Sequence, residues 1–331
     1  MNPPFDITEE ILNLVAEVSV SVGRLTGLSG ATLKNPTLRK KNRIRTVQGS
    51  LAIEQNTLTL RQVTAVLNGK TVLAPPKDIA EVKNAYEIYE NMHRLRSGLE
   101  EDLLAAHKIM LRGLVADAGE YRSIPVGVVN RQNQIIHFGT LPAYVPEAME
   151  NLLLWLRTTT VHPLIKGSVF HYEFELIHPF SDGNGRMGRL WHSLILAEWN
   201  PVFAWLPVES MVYKNQEEYY KTLNACNAAG SSTAFIVFML RQILAALAEA
   251  AETWEQDKEQ DEEQDSPPVD EQSLLAFCQQ PRSREEMQAF CRIPGRKRFT
   301  ANYLKPLLQS GRLVMTLPDK PNSKNQKYLA P

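Results

Sequence analysis

Cysteine is scarce in this sequence, with three residues in 331: Cys226, Cys278 and Cys291. Because they are odd in number and widely spaced, they predict neither a disulfide framework nor a zinc site, and they favour a reducing compartment. The first residues have neither the basic start nor the apolar segment of a signal peptide. No uninterrupted apolar run reaches the roughly 18 residues of a membrane span. We therefore expect a cytoplasmic protein with no membrane partner.

An excess of either charge is also absent from the chain as a whole. Its 36 basic and 37 acidic residues give a formal net charge of −1 at pH 7, which offers no global sign of nucleic-acid or membrane binding. A composition of 44% hydrophobic and 22% charged residues is ordinary for a globular protein. At 331 residues the chain is long enough for two or three domains.

Charge is unevenly distributed near the C-terminus, and this marks two segments. Residues 251–270 contain nine acidic residues, one lysine and the pair Pro267-Pro268, a composition typical of a linker or an extended helix end. Residues 271–331 carry eleven lysine and arginine residues against four acidic ones. Their predicted order is three short helices, a turn at Gly311 and two strands, which is the order of a small winged-helix (α+β) domain.

Helical periodicity dominates the first 250 residues, so the predicted fold class is mainly α. Thr8 can cap a first helix, and a short helix is expected over 50–56. Pro75-Pro76 breaks the chain into an N-terminal helical region, 1–75, and a core, 76–250. Within the core, two short apolar runs around a polar tip predict a β-hairpin at 126–138.

The most informative segment is the loop His178-Pro-Phe-Ser-Asp-Gly-Asn-Gly-Arg-Met-Gly-Arg189, which runs into a predicted helix. Its small residues, Gly183-Asn-Gly185, allow backbone N–H groups to approach an anion at the helix N-terminus. Arg186 and Arg189 are three positions apart, so they project from neighbouring positions of that helix. Each guanidinium can fork onto phosphate oxygens. The loop therefore predicts a grip for a polyphosphate.

Two further side chains of this loop add chemistry to that grip. Asp182 can hold Mg²⁺ (or Mn²⁺) that is already bound to phosphates, as Mg²⁺ usually is. His178 can accept a proton from an incoming hydroxyl near neutral pH. The pattern predicts a phosphoryl-type transfer in which positioning and charge neutralisation do most of the catalysis.

The loop resembles the signature of the Fic (filamentation induced by cAMP) family, and the resemblance covers about residues 10–250. Membership implies a helical bundle with a β-hairpin flap and transfer of AMP from ATP to Ser, Thr or Tyr hydroxyls of proteins, including the protein itself. It implies His178 as general base, Asp182 as metal ligand, and a protein target docked on the 126–138 hairpin by strand pairing. The nucleotide-binding residues that it implies are Glu54, Gly183, Asn184, Gly185, Arg186, Met187, Gly188, Arg189, Tyr219, Tyr220 and Asn227.

Ser50 and Glu54, four positions apart on one helix face, resemble the inhibitory motif of this family, Ser/Thr-x-x-x-Glu-Gly/Asn. The resemblance places an inhibitory helix near 46–56 and implies that Glu54 pairs with Arg189, which then cannot hold the ATP γ-phosphate. Gln55 departs from the motif, where glycine or asparagine is usual, and Asn56 follows it. The chain is thus predicted to be a self-inhibited protein adenylyltransferase.

Other functions remain open from the sequence. A DNA-binding regulator whose Fic core only senses a ligand would use 271–331, but winged helices serve equally often as docking modules. A Fic enzyme could use another donor, or could remove AMP with Glu54 orienting a water. A metallohydrolase built on His162, His171 and His178 is disfavoured, because their separations of nine and seven residues match no helical ligand motif. A homodimer fits the family but follows from no particular residue.

Overall fold

The computed structural model of this protein describes residues 2–28, 36–129, 135–265, 270–291, 299–321, 323 and 325–331. Within these ranges the chain forms two compact units, Met1–Ala251 and Glu252–Pro331. The predicted mainly α fold is confirmed, because helices supply nearly all the regular structure described and the strands form two short antiparallel pairs. Residues on both sides of position 75 belong to the first unit.

The helices of the first unit follow the predicted order closely. Short 3₁₀ turns lie at Met92–Arg94, Pro142–Tyr144 and Pro201–Ala204. The α-helices are α1 (Glu9–Leu28), α2 (Pro36–Ile53), α3 (Leu60–Leu67), α4 (Pro76–Asn91), α5 (Glu100–Met110), α6 (Val145–Thr158), α7 (Pro163–Ile177), α8 (Asn184–Trp199), α9 (Val208–Lys214), α10 (Gln216–Ala229) and α11 (Thr233–Asp265).

Helices α7 and α8 form the centre of this unit, and they pack against each other more extensively than any other described pair. Val169 and Phe170 of α7 are fully buried, as are Leu190 and Trp191 of α8. A helix that is buried on all sides belongs to the core. The loop singled out from the sequence joins these two helices, so it is anchored on both sides by the best-packed part of the molecule.

Helix α2 is longer than the sequence predicted. The helix expected over 50–56 is the last part of an 18-residue helix, Pro36–Ile53, which includes the basic stretch before it. Arginine and lysine are good helix formers, and Arg39 and Arg43 also lie over the Trp205 ring at 4.8 and 4.7 Å from its centroid. Arg43 also pairs with Glu90 at 3.1 Å. The motif of Ser50 and Glu54 therefore lies at the C-terminal end of a helix anchored further along its length.

Two other helices differ from the prediction. Helix α9 was not predicted, because seven residues are too short a stretch to show a period. Helix α11 continues to Asp265, so the acidic residues after 251 form an extended helix end, which is one of the two predicted readings.

The Thr233–Thr253 part of α11 is long and apolar enough to cross a membrane, although Arg241 and Gln242 interrupt its apolar run. The sequence had suggested no such segment. In the structure 56% of its most apolar window is buried inside the protein, and core helices pass the same test of length and composition.

The predicted β-hairpin at 126–138 is confirmed. Strands β1 (Gly127–Val129) and β2 (Ile135–Phe138) pair antiparallel, with an irregularity between Val128 and Val129. The tip, 130–134, lies outside the described residues. The base is held by the Arg122 guanidinium, which donates to the backbone oxygens of Ile124 (2.8 Å) and Thr140.

The second unit has the predicted order of elements. Helices α12 (Glu271–Phe277) and α13 (Arg284–Phe290) precede a π-helical turn (Thr300–Leu304) and α14 (Lys305–Gln309). Strands β3 (Val314–Met315) and β4 (Tyr328–Leu329) pair antiparallel. Residues 292–298, with four of the basic residues of this segment, lie outside the described part, and a winged-helix function stays a prediction. The buried core consists of Leu274, Cys278, Met287, Cys291, Phe299, Leu304, Leu307, Leu313 and Tyr328.

Candidate active site

The loop between α7 and α8 is fixed from its buried side. Helix α7 ends at His178, which has a left-handed φ of 53°, and α8 begins after Gly183 with a φ of 84°. The Asn184 side chain accepts from the Phe180 N–H and donates to the Phe180 oxygen, both at 2.8 Å. The Phe180 ring is fully buried and stacks on His107 with centroids 3.6 Å apart. Phe180 therefore has the structural role that the sequence predicted, and the Asn184 side chain is engaged within the loop itself.

His178 faces a cavity beside this loop, with 18% of its side chain exposed. Its Nδ1 lies 3.3 Å from the Glu175 backbone oxygen and 3.9 Å from the Glu175 carboxylate. When Nδ1 carries the ring proton and donates to that backbone oxygen, Nε2 becomes the acceptor. Arg122 holds the backbone, because its Nε donates to the His178 oxygen at 2.7 Å. Glu175 was not predicted, although its position one turn before His178 could have identified it.

The cavity has a volume of about 250 Å³. Tyr172 donates to Asn227 Oδ1 at 3.0 Å, and the Tyr219 hydroxyl lies 3.2 Å from His171 Nε2. The predicted residues that line the cavity are Glu54, His178, Gly185, Arg189, Tyr219, Tyr220 and Asn227. The lining residues that the sequence did not indicate are Gly127, Tyr172, Glu175, Leu176, Leu223 and Asn224.

The motif of Ser50 and Glu54 meets the loop helix at Arg189, which is 2% exposed. Arg189 Nη2 donates to Glu54 Oε1 at 2.7 Å and to the Ser50 backbone oxygen at 3.1 Å, and Nε donates to Ser50 Oγ at 3.2 Å. Burial opposes the charge of Arg189, but the Glu54 carboxylate outweighs it and raises the pKa of Arg189. A Cβ on Gly185 would lie 2.2 Å from Glu54 Oε1, so the carboxylate needs glycine there. The expected Glu54–Arg189 pair is present; its inhibitory effect stays a prediction.

Gln55, the departure from the family motif, has a left-handed φ of 66° at the end of α2. The helix end is closed by hydrogen bonds from the Gln55 N–H to Ala52 and from the Asn56 N–H to Leu51, both at 3.1 Å. This left-handed conformation costs a residue other than glycine about 1 kcal/mol. Glycine or asparagine therefore usually occupies the position directly after a helix end of this kind. The geometry of the motif is therefore kept in spite of Gln55, with local strain.

We expect Gln55→Gly to raise the free energy of unfolding of the first unit by about 0.5 kcal/mol, since relief of strain exceeds the added entropy of the unfolded chain. The measurement is chemical denaturation of the purified protein. Gln48→Gly is the matched control. Because Gln48 lies within α2, this variant should have a free energy of unfolding about 1 kcal/mol lower than the wild type. A loss of stability at both positions would contradict the argument.

Asp182 and Arg186 lie at the start of α8 but do not line the cavity. Arg186 Nη2 donates to Asp182 Oδ1 at 2.9 Å, and Nη1 donates to Glu81 Oε1 at 3.2 Å. Burial opposes the ionisation of Asp182, but Arg186 and the Gly183 N–H outweigh it and lower the pKa of Asp182. Asp182 is thus an ionised carboxylate with 45% of its side chain exposed. Glu81 was not predicted, because nothing in a sequence pairs residues 105 positions apart.

These residues fit a magnesium ion as part of a nucleotide complex. Among the residues that the structure describes, no group of three or more His, Cys, Asp or Glu side chains is placed to hold a metal by itself. Mg²⁺ commonly takes one or two carboxylates and completes its shell with phosphate oxygens and water. An exposed, ionised Asp182 beside a helix N-terminus meets that requirement.

Met187 and Gly188 lie behind the cavity. The Met187 side chain is fully buried in the core. A Cβ on Gly188 would lie 2.9 Å from His171 Cδ2 and 3.0 Å from Glu175 Oε1. Both residues were assigned to nucleotide binding as members of the signature, but the structure buries the Met187 side chain and places Gly188 against His171 and Glu175 of α7.

The three histidines of the metallohydrolase alternative do not converge. Burial holds the pKa of His171 well below its ordinary value, and His171 packs between Tyr219 and His192. His162 caps the other end of α7, where its Nδ1 accepts the Leu164 N–H at 3.2 Å. The 15 residues of α7 separate His162 from His178 by roughly 24 Å at the helical rise. This alternative is therefore wrong.

Glu175 is buried among Arg189, Glu54, His171 and His178. Burial raises the pKa of Glu175 to about 8, Glu54 adds to the increase, and Arg189 opposes it. Since the folded-state value lies above the ordinary 4.5, the protonated carboxyl stabilises the folded protein. That contribution is complete below pH 4.5 and is lost as the pH rises through 8.

We expect Glu175→Gln to remove this pH dependence, because glutamine resembles the protonated carboxyl at every pH. Between pH 5 and 8.5 the free energy of unfolding of the wild type should fall more than that of the variant, by on the order of 2 kcal/mol. Denaturation across that range measures the difference. Glu173→Gln gives the comparison, because burial raises the pKa of Glu173 from 4.5 to about 7 and its effect should be complete near pH 7. Parallel curves for wild type and Glu175→Gln would refute the assignment.

Comparisons with known proteins agree with this geometry. Residues 97–196 match the model of the Fic/DOC family, and residues 270–329 match that of the filamentation induced by cAMP protein Fic-like, C-terminal domain. A crystal structure of a Fic family protein from Desulfovibrio desulfuricans G20 is 43% identical, with a TM-score of 0.77. That match covers 100% of this chain and 98% of the other.

Curated relatives are similar over a smaller part of their length. Protein adenylyltransferase fic-1 from Caenorhabditis elegans is 32% identical over 196 residues, which cover 55% of this chain and 36% of that protein. Protein adenylyltransferase Fic from Nematostella vectensis is 30% identical over 204 residues, covering 58% and 45%. The chain therefore spans less than half the length of these two relatives.

A helical core that presents a histidine and an anion-binding helix start beside a β-hairpin defines the class of Fic-fold proteins. Given the nearly complete match to a Fic family protein at 43% identity, this chain belongs to the Fic family.

Proposed function

We propose that this protein transfers AMP from ATP to Ser, Thr or Tyr hydroxyls of proteins, and that Glu54 inhibits the transfer. The supporting relatives, 32% and 30% identical, are named protein adenylyltransferases. The observation that carries the proposal is one cavity that joins a base, an anion-binding helix start and a recess for a nucleoside, formed by His178, Gly185, Arg189, Tyr219, Tyr220 and Asn227.

The proposed reaction is a displacement at the α-phosphorus of ATP. The target hydroxyl oxygen bonds to this phosphorus, the bond to the bridging oxygen breaks, and diphosphate leaves. His178 Nε2 takes the hydroxyl proton as the new bond forms. The first N–H groups of α8 and the guanidinium groups of Arg186 and Arg189 hold the phosphate oxygens. Asp182 would hold Mg²⁺ (or Mn²⁺), which neutralises phosphate charge when bound.

The recess on the α10 side of the cavity suits an adenosine. Tyr219 and Tyr220 meet edge to face with ring centroids 5.3 Å apart, and Tyr219 is almost completely buried. Tyr220 and Asn227 are more accessible and line the same space. Aromatic surface with a few placed polar groups is the usual lining of a nucleoside site.

The target segment is proposed to add a strand to the hairpin. Gly127 of β1 lines the cavity, so a strand paired at this edge would bring one of its hydroxyls near His178. Strand addition recognises mainly backbone, which permits varied targets and modification of the protein itself.

Inhibition is proposed to act by occupying Arg189. The guanidinium is buried and already bound by Glu54 and Ser50, so the γ-phosphate of ATP has to compete with a carboxylate for it. A buried charge pair is costly to break when one partner is left without a counter-charge. ATP bound without Arg189 would place its α-phosphate wrongly for attack.

Mass spectrometry of the purified protein after incubation with ATP and Mg²⁺ tests the activity. We expect peptides that carry one added AMP on Ser, Thr or Tyr, and none when EDTA replaces Mg²⁺. An adduct with the mass of phosphate or phosphocholine, formed from the corresponding donor, would show that the protein transfers that group instead of AMP. The absence of any AMP adduct, even after removal of Glu54, would overturn the proposal.

Removal of AMP is a second candidate, and the position of Glu54 favours it. Its carboxylate lines the cavity next to Gly185, where it could orient a water towards a bound AMP–protein linkage. Release of AMP from a purified modified protein, dependent on Glu54, would establish this activity. The two activities can be separated because transfer requires Glu54 to be displaced, whereas removal requires it in place.

A further inference from the structure

Glu81 of α4 is a buried carboxylate, 6% exposed, that does not line the cavity. Its Oε1 accepts from Arg186 Nη1 at 3.2 Å, and its Oε2 accepts from Asn56 Nδ2 at 2.8 Å. Lys77 approaches Oε1 only to 3.9 Å. One carboxylate thus joins the loop helix α8 to the segment that directly follows Glu54.

Arg186 depends on this carboxylate for its orientation. Its side chain is 4% exposed, and its two terminal nitrogens donate to Glu81 and Asp182. Its Nε is buried and has no hydrogen-bond partner among the described residues. If Asp182 held a metal ion, Glu81 would be the remaining carboxylate that directs the guanidinium.

Asn56 in turn fixes Glu81. Its Nδ2 also donates to the Asp78 backbone oxygen at 3.2 Å, its Oδ1 accepts the Leu58 N–H at 3.1 Å, and its own N–H closes α2 on Leu51. Every polar atom of the Asn56 side chain therefore has a hydrogen-bond partner. The amide nitrogen that donates to Glu81 Oε2 is held in place by backbone groups on both sides of it.

We propose that Glu81 is a positioning residue, which holds Arg186 in its phosphate-binding orientation and is itself held by Asn56. This inference rests on the proposed AMP transfer. It means that the segment carrying the inhibitory Glu54 also supports the phosphate grip through Asn56. Loss of Glu54 alone would therefore activate the enzyme, whereas displacement of the whole segment would weaken ATP binding as well.

The test uses the Glu54→Gly background, in which kcat and KM for ATP are measured for AMP transfer. Adding Glu81→Gln should raise KM by about tenfold with a smaller change in kcat, since the carboxylate charge that directs Arg186 is lost. Asn56→Ala should raise KM by about threefold, because it removes only the support of Glu81. Adding Glu81→Gln to Arg186→Met should raise KM no further.

Thr57→Ala is the matched control. Thr57 joins the same segment to α4, through a 2.7 Å bond to Asp78 Oδ2, without reaching Arg186. It should leave KM unchanged, while thermal unfolding reports any loss of stability in each variant. An unchanged KM in Glu81→Gln, or an equal change in Thr57→Ala and Asn56→Ala, would overturn the inference. A lack of AMP transfer in Glu54→Gly itself would instead count against the proposed function.

Discussion

Glu54→Gly is expected to raise the rate of AMP incorporation into the protein by roughly a hundredfold, which corresponds to about 3 kcal/mol released by removing one buried charge-assisted contact. Arg189 loses its 2.7 Å hydrogen bond to the carboxylate but keeps both contacts to Ser50. It therefore stays near its present position and becomes able to bind the γ-phosphate. Incorporation of labelled AMP from ATP and Mg²⁺ measures the effect.

Two variants control this experiment. Glu54→Gln keeps the shape and one acceptor but removes the charge, so its rate should lie between those of wild type and Glu54→Gly. Glu87→Gln breaks another ion pair of the first unit, Arg112–Glu87 at 2.6 Å, which does not touch the cavity. It should leave the rate at the wild-type level. Equal incorporation by wild type and Glu54→Gly would reject the inhibitory role.

His178→Ala, made in the Glu54→Gly background, is expected to lower kcat for AMP transfer by about a thousandfold or more. The imidazole would accept the hydroxyl proton through Nε2, and alanine leaves no group to replace it. KM for ATP should change little, because the phosphate contacts come from α8 and from Arg186 and Arg189. The active background is needed so that inhibition does not hide the loss.

His162→Ala is the matched control for His178→Ala. It removes a histidine from the opposite end of the same helix, where the side chain caps the Leu164 N–H. It should reduce stability by about 1 kcal/mol and keep AMP transfer. Substantial transfer by the His178→Ala variant would show that another group accepts the proton.

The two results would also separate the roles of the two ends of the loop. In the proposed reaction His178 activates the hydroxyl, and Arg189 holds the nucleotide for attack. If His178→Ala abolishes transfer and Glu54→Gly increases it, then the reaction and its inhibition depend on the twelve-residue loop 178–189 and on the Glu54 carboxylate.

Much of the fold was predictable because it depends on local periodicity. Helical periodicity over the first 250 residues indicated the mainly α fold, and the two apolar runs around a polar tip indicated the hairpin. The extent of α2 was not predictable, since its basic stretch shows no clear apolar period and its arginines are held by contacts with Trp205 and Glu90. Trp205 and Glu90 are far from α2 in sequence, and no local pattern indicates that they contact it.

The site shows the same division. His178, Asp182 and the Gly183–Gly185 turn could be predicted as site residues from the sequence, because one short loop carries them in a spacing that suits a phosphate grip. Met187 and Gly188 were placed with them only because they share the signature, and the structure buries the Met187 side chain and sets Gly188 against α7. On a helix, neighbouring positions face different directions, so membership of a motif does not make every residue a ligand.

The sequence by itself determined which candidate groups one loop brings together: a histidine, a carboxylate, two arginines and the helix start. Only the tertiary structure decided what surrounds them, namely Glu81 on Arg186, Asn56 on Glu81 and the His107 ring on Phe180. The physical reason is that the spacing of neighbouring residues can be read directly from the sequence. Burial and charge pairing arise between segments that meet only when the helices pack.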